Sequence, residues 1–476
     1  MEPLLASALA LQLALAPPPA PPADTPARLM AATRADGQAL SRLADLTDTI
    51  GPRLTGSPGA AAAVAWALRA FEADGLTAWA EPVTVPAWRR GEERAEVLAG
   101  GTVVRPQRLA VTALGNSPGT PPGGLTAEVV EVHSLEEAAA LGTRARGRLV
   151  FFNHAMASGG PGYGDTAPLR SRGPATASRA GAAGALVRSL ATATLRDPHT
   201  GMTSWKGDVA PIPAAALSVE DAELLHRLLA RGPVRVRLDL GCGLASPATV
   251  ESANVVAELR GRERPEEVVL IGAHLDSWDL GTGAIDDGAG VVMVMEALRQ
   301  IARQPVAPRR TVRAVLFMNE ENGLEGGLGY AARHRQELPR HVAAIEADSG
   351  AGRPIGFAVT AGEGGRAVAG ALAAPLTTLG AATIKVGDGG SDLEPLRDAG
   401  VPVLGLWQDT SRYFDWHHSA ADTFDKVVPA ELAASAATLA VMAWQLAETP
   451  ETLPRPPPPA PAPPAATIAV PAPARR

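Results

Sequence analysis

VVLIGAHLDSWDLGTGAIDDGAGVVMVMEALRQIARQPVAPRRTVRAVLFMNEENG, residues 268–323, reads as strand, helix, strand. The run VVLIGAHL is short and apolar throughout, the pattern of a strand buried on both faces. A glycine-rich loop follows it. From Gly288 to Arg303 the apolar stretch is long enough for a helix, and TVRAVLFMN is again a short apolar run. Two strands joined through a helix form a βαβ unit, hence a parallel sheet. VAAIEAD, residues 342–348, adds another strand of the same kind.

Outward from this unit the alternation continues. Downstream lie helices near Gly323 to Gln336 and Gly365 to Leu379, the strand VPVLGLW, and a closing helix from Pro429 to about Glu448. Upstream, ESANVVAELRG resumes the main domain after a stretch of different character. That stretch, residues 120–244, holds Val-rich strands such as GRLVFFNHA and VRVRLDLG and a helix-strand pair in RAGAAGALVRS, which together read as an inserted domain. Residues 80–115 look extended, and Thr25 to about Trp79 reads as two or three helices broken by the loop IGPRLTGSPG. The expected fold class is α/β, a mixed central sheet flanked by helices. Its catalytic domain is discontinuous, 24–119 and 245–450, around the insertion at 120–244.

The two ends differ from this pattern. Residues 1–23 contain an apolar stretch from Leu4 to Ala16 followed by small residues and prolines, as in a secretory leader, although Glu2 replaces the usual basic residue. The stretch is too short to span a bilayer. It implies export to the periplasm or the exterior, with no membrane segment in the mature form. Residues 451–476 are proline-rich and are expected to be a disordered tail.

A chain of 476 residues is long enough for two folded units. Its net charge of −7, with no long basic run, argues against a nucleic-acid partner. One cysteine, Cys242, excludes an intramolecular disulfide and a thiolate metal knuckle, so any metal must use oxygen and nitrogen ligands.

Such ligands recur along the main domain: His274 and Asp276 in IGAHLDSW, Asp286 in GAIDDGAG, Glu320 and Glu321 in MNEENG, Asp348 in IEADSG, and His417 and His418 in DWHHSAADT. Each has an ordinary explanation by itself: a structural histidine, a helix cap, a solvated strand end. His274, Glu320, Glu321 and Asp348 each fall at or just past the C-terminal end of a strand of one α/β domain, where ligands bind, and Asp286, His417 and His418 lie in loops. His274 and Asp276 lie on one side of an extended segment, so Asp276 can accept the second imidazole N–H and fix the tautomer of a metal-binding His274. Consecutive Glu320 and Glu321 point in different directions, so one can ligate while the other handles a proton. A carboxylate and imidazole set suits zinc, and tolerates cobalt or manganese. Two such ions form the clamp used in hydrolysis of amides and phosphates.

These motifs resemble those of the co-catalytic zinc exopeptidases of the bacterial leucyl aminopeptidase type, and in particular the carboxypeptidase Q family. The likeness covers most of the chain, from IGPRLTGSP through LGNSPGTPPGGLTAEVVEV and DPHTGMTSWKGDVAPIPAAALSVEDAELL to GAHLDSWDLGTGAIDDGAG, NEENG, EADSG and HHSAADT. It implies a phosphohydrolase-like catalytic domain with an inserted protease-associated domain, and two zinc ions per chain. One would be held by His274 and Asp348, the other by Glu321 and His418, with Asp286 bridging, Glu320 as general base and a cis peptide after Asp286. His418 is preferred to His417 because the family pattern has a histidine followed, after three intervening residues, by AspThr, here Asp422 and Thr423. The implied activity is hydrolysis of dipeptides or short peptides. The alternatives are an aminopeptidase of the same family, a one-zinc glutaminyl cyclase, and a non-catalytic binding protein on this fold; a homodimer is left open.

Overall fold

The computed structural model describes residues 21–457, apart from positions 102, 159 and 208. Within it the segment 268–323 forms the expected unit: strands Arg264–His274 and Arg310–Phe317 run parallel on either side of the crossover helix Ala289–Ala302. Strand His341–Glu346 pairs parallel with Arg264–His274 on its other side, and Val403–Gln408 pairs parallel with His341–Glu346. Antiparallel strands flank this parallel centre. Gly243–Leu259 and then Thr77–Arg89 extend one side, and Pro354–Thr360 followed by Thr383–Val386 extend the other, completing an eight-stranded mixed sheet.

Alternation along the strands explains why both faces are covered. Val255, Val269, Ile271, Val312, Ala314 and Ile345 face one core, with the helices Pro58–Ala73, Ala289–Ala302 and Pro429–Glu448. Their neighbours Val256, Leu270, Val315 and Ala344 face the other, against Tyr330, Leu393 and Leu396. Helix Ala289–Ala302 is buried from Ala289 to Ile301, so its apolar residues need no polar face. Each large aliphatic side chain among them contributes roughly 1.5–3 kcal/mol by leaving water. Helix Pro429–Glu448 alone among the described helices has the length and apolarity of a membrane span, and most of it is buried in this core.

The second unit leaves the first through a ladder. Thr77–Arg89 and Gly243–Leu259 pair antiparallel from Thr77↔Glu258 to Arg89↔Gly243, and the chain between them forms another eight-stranded sheet. This corrects the boundary expected at 120. The second sheet starts with Glu93–Val97, and Gln107–Leu109 and Val111–Ala113 belong to it as well. These strands are short and extended, and their sequence does not say which sheet they join.

The C-terminal expectation also needs correction over its first residues. Leu453 is buried, the Gly362 N–H donates to the Pro454 carbonyl at 2.8 Å, and Arg455 donates to the His341 carbonyl at 3.1 Å. Prolines exclude a packed core of their own but not a strap lying on another one. The remainder of the tail, and residues 1–20 of the leader, lie outside the described residues.

Candidate metal centre

His274 ends its strand, Glu320 and Glu321 follow Phe317 by a short turn, and Asp348 lies just past Glu346. The parallel register brings these ends together, since His274 pairs with Phe317 and Gly272 with Glu346. Asp286 enters from the loop before the buried helix, and His418 from the loop after Tyr413–Asp415.

Asp286 stands at the centre. Its Oδ1 lies 3.2 Å from His274 Nε2, and its Oδ2 lies 3.2 Å from His418 Nε2. His274 Nε2 is also 3.8 Å from Asp348 Oδ1, while His418 Nε2 is 3.0 Å from Glu321 Oε2. One carboxylate thus faces two imidazole–carboxylate pairs. His417 stacks on His418 with its Nε2 3.6 Å from Asp286 Oδ2, farther than His418.

The donors fit a cation. His274 Nδ1 lies 3.0 Å from the Asp276 carbonyl and His418 Nδ1 lies 3.3 Å from the Thr200 carbonyl. With the His274 N–H given to a carbonyl, its Nε2 lone pair faces carboxylate oxygens, an arrangement that calls for positive charge between them. Asp286 Oδ2 is buried without a hydrogen-bond partner. Burial, followed by the Asp286 charge, pushes the Glu321 carboxyl up to about 8. Burial likewise raises Glu320 to about 7; His274 and Ser391 oppose the rise, and the charges of Asp348 and Asp286 add to it.

Asp276 departs from its expected role. Its backbone carbonyl takes the His274 N–H, and its carboxylate Oδ1 stays 4.0 Å from that ring. The carboxylate instead accepts from the backbone N–H groups of Asn319 at 2.7 Å, Glu320 at 3.1 Å and Glu321 at 3.4 Å, and from the Thr55 hydroxyl at 2.8 Å. Three orphan donors of a tight turn outcompete one imidazole N–H, so Asp276 shapes the loop that presents both glutamates.

The acidic doublets divide their work. Asp286 faces the centre. Asp287 caps the following helix, accepting from Gly290 N–H at 3.1 Å, and also holds His274 N–H at 3.2 Å. The peptide bond between them is cis. A Cβ at Gly290 would lie 1.9 Å from the Ala347 carbonyl oxygen, so only glycine lets the helix start this close to the strand end. Glu321 is fixed through Oε1 by the Trp278 N–H at 3.1 Å, while Glu320 lines the open cavity. Ser391 lines that cavity too, and the helix Glu394–Asp398 has no side-chain cap.

Three features escaped the sequence reading. Asp422 accepts from the N–H groups of Ala284 and Ile285, both at 2.8 Å, and of Asp286 at 3.2 Å, fixing the Asp286 loop. Arg53, fully buried, donates to the carbonyls of Gly51, Leu275, Thr282 and Gly283 at 2.7–3.2 Å. It ties the His274 loop to the Asp286 loop, and its only signal was an arginine inside a glycine- and proline-rich breaker. Arg53→Met is expected to lower stability by on the order of 3 kcal/mol, because several buried carbonyls lose their donor; a urea midpoint equal to the wild type would contradict this. The inserted unit supplies the third feature: Tyr163, Arg170, Ser171 and Met202 line the cavity, whose volume is about 720 Å³. A larger neighbouring cavity of about 1140 Å³ shares Ser171 and Met202 but carries none of the acidic motifs.

A mixed α/β sheet with a buried carboxylate and imidazole cluster at its strand ends is the arrangement of a metallohydrolase. Residues 254–443 match the pattern of peptidase family M28. Human carboxypeptidase Q is 36% identical over 423 residues, 89% of this chain and 88% of that protein. A solved peptidase M28 precursor from Shewanella amazonensis superposes with a TM-score of 0.87 at 39% identity, covering 91% of this chain and 98% of that one. The aminopeptidase from Aneurinibacillus sp. strain AM-1, 21% identical with a TM-score of 0.64 over 90% of this chain and 98% of its own, shares the fold. The chain belongs to peptidase family M28 and is a zinc metallo-exopeptidase.

Proposed function

We propose that this enzyme is a two-zinc carboxypeptidase or dipeptidase acting on short unblocked peptides. The observation that carries the reading is the single Asp286 carboxylate turned toward two imidazole–carboxylate pairs. His274 and Asp348 would hold one ion, Glu321 and His418 the other, with Asp286 shared. When bound, such ions lower the pKa of a water and offset charge on an oxyanion.

The remaining chemistry belongs to the chain. Glu320 reaches the cavity free of the ligand cluster, accepts the proton of the attacking water and passes it to the leaving amine. A carboxyl that can both take up and release a proton is what the two transfers require. Asp276 holds the turn that aims Glu320, and Asp422 holds the loop that aims Asp286. The inserted unit, read as a protease-associated domain, closes one side of the cavity with Tyr163 and Arg170. The leader composition supports export, and similarity to carboxypeptidase Q supports recognition of a free carboxyl end.

The test is hydrolysis of an unblocked dipeptide beside its N-acetylated and C-amidated forms, by chelated protein titrated with zinc. Activity is expected to return near two zincs per chain, to survive acetylation and to fall on amidation. Loss on acetylation alone would make it an aminopeptidase. No turnover at full zinc would leave a binding protein.

A further inference from the structure

Two cationic side chains line the cavity, Arg170 and Lys385. Arg170 is largely committed: it donates to the Tyr163 hydroxyl at 2.7 Å and to the Thr200 carbonyl at 3.3 Å, beside His418 Nδ1, and only its Nε has no partner. Lys385 is not. It lies on Thr383–Val386, the edge strand of the catalytic sheet, with its Nζ 3.9 Å from the centroid of the Trp407 ring. Among the described residues no carboxylate pairs with it, and burial alone acts on its pKa, downward.

The cavity is therefore polarised. Its acidic part carries Asp286, Glu320, Glu321 and Asp348, and on the side of Asp348 and Ser349 an ammonium rests on an indole face with its donors unspent. A small anion entering the cavity on the side of Asp348 and Ser349 would find the Lys385 ammonium as a charged donor with no ion-pair partner among the described residues.

We propose that Lys385 binds the terminal α-carboxylate of the substrate and so makes the free carboxyl end the recognised feature. In a dipeptide with neutral side chains that carboxylate is the only anion, and it lies on the leaving-amine side of the scissile bond. Trp407 holds the ammonium in place by a cation–π contact that leaves its N–H donors free for a charge-assisted hydrogen bond to the carboxylate. This assignment rests on the carboxypeptidase reading above and names the residue behind it.

The experiment compares kcat and KM of the zinc-loaded wild type, Lys385→Met and Lys385→Arg on a neutral dipeptide and on its C-terminal amide. The wild type is expected to prefer the free acid, and Lys385→Met to lose that preference by about 10- to 100-fold, chiefly through KM. Lys385→Arg keeps the charge and restores the preference. The assignment is overturned if Lys385→Met retains the wild-type acid-to-amide ratio, or if Lys385→Arg is as impaired as Lys385→Met. A wild type that cleaves acid and amide equally also overturns it while leaving a zinc exopeptidase; a wild type that cleaves neither removes the peptidase reading with it.

Discussion

Glu320→Gln leaves zinc content unchanged and lowers kcat by about 10²- to 10⁴-fold, the contribution typical of a positioned general base. The substitution keeps size and hydrogen-bonding capacity but removes the atom that takes the proton. Glu320 contributes no donor to the geometry around Asp286, where His274, Asp348, Glu321 and His418 converge. Its backbone N–H stays on Asp276, so the loop keeps its shape. Metal analysis after gel filtration, beside turnover of a dipeptide, checks both halves of the expectation. Near-normal activity would move the base elsewhere; loss of zinc together with activity would make Glu320 a ligand.

Asp286→Ala has the opposite signature, losing ions and turnover together. Partners that only orient a metal ligand commonly change affinity by about 10- to 100-fold, and a shared ligand should exceed that range. Its two oxygens face different imidazoles, so both sites weaken at once and no single-ion species accumulates. Asp348→Ala offers the contrast, because that carboxylate approaches His274 alone of the two imidazoles. Zinc titration by calorimetry separates the cases, and an Asp286→Ala protein that retains two ions would remove the bridging role.

The parallel centre of the fold was legible because its strands are apolar on both faces and joined by helices; VVLIGAHL, TVRAVLFMN and VAAIEAD admit few other readings. The pairing of Glu93–Val97 and Val111–Ala113 was not, since short amphipathic strands carry no label for their partner. At the site, residue type and position at strand ends pointed to His274, Glu320, Glu321 and Asp348, whereas Asp286 and His418 lie in loops and stood out through their motifs. What they could not reveal was competition among acceptors. Asp276 lies two residues from His274, and only the folded turn shows that backbone N–H groups occupy its carboxylate. Arg53 and Asp422 act entirely on backbone groups of distant loops, an association that spacing along the chain does not encode.

His418 takes part of its orientation from outside its own sheet. The Thr200 carbonyl and the Arg170 guanidinium, both from the inserted unit, lie against its Nδ1. With zinc held by His418 as proposed, seating of that unit and ion affinity would be linked equilibria, and linkage is reciprocal. Whatever seating contributed to the affinity of the His418 side, bound zinc would contribute equally to seating. A chelator would then act on the junction between the two sheets, and a molecule wedged into that junction would act as a zinc-releasing effector without touching a ligand.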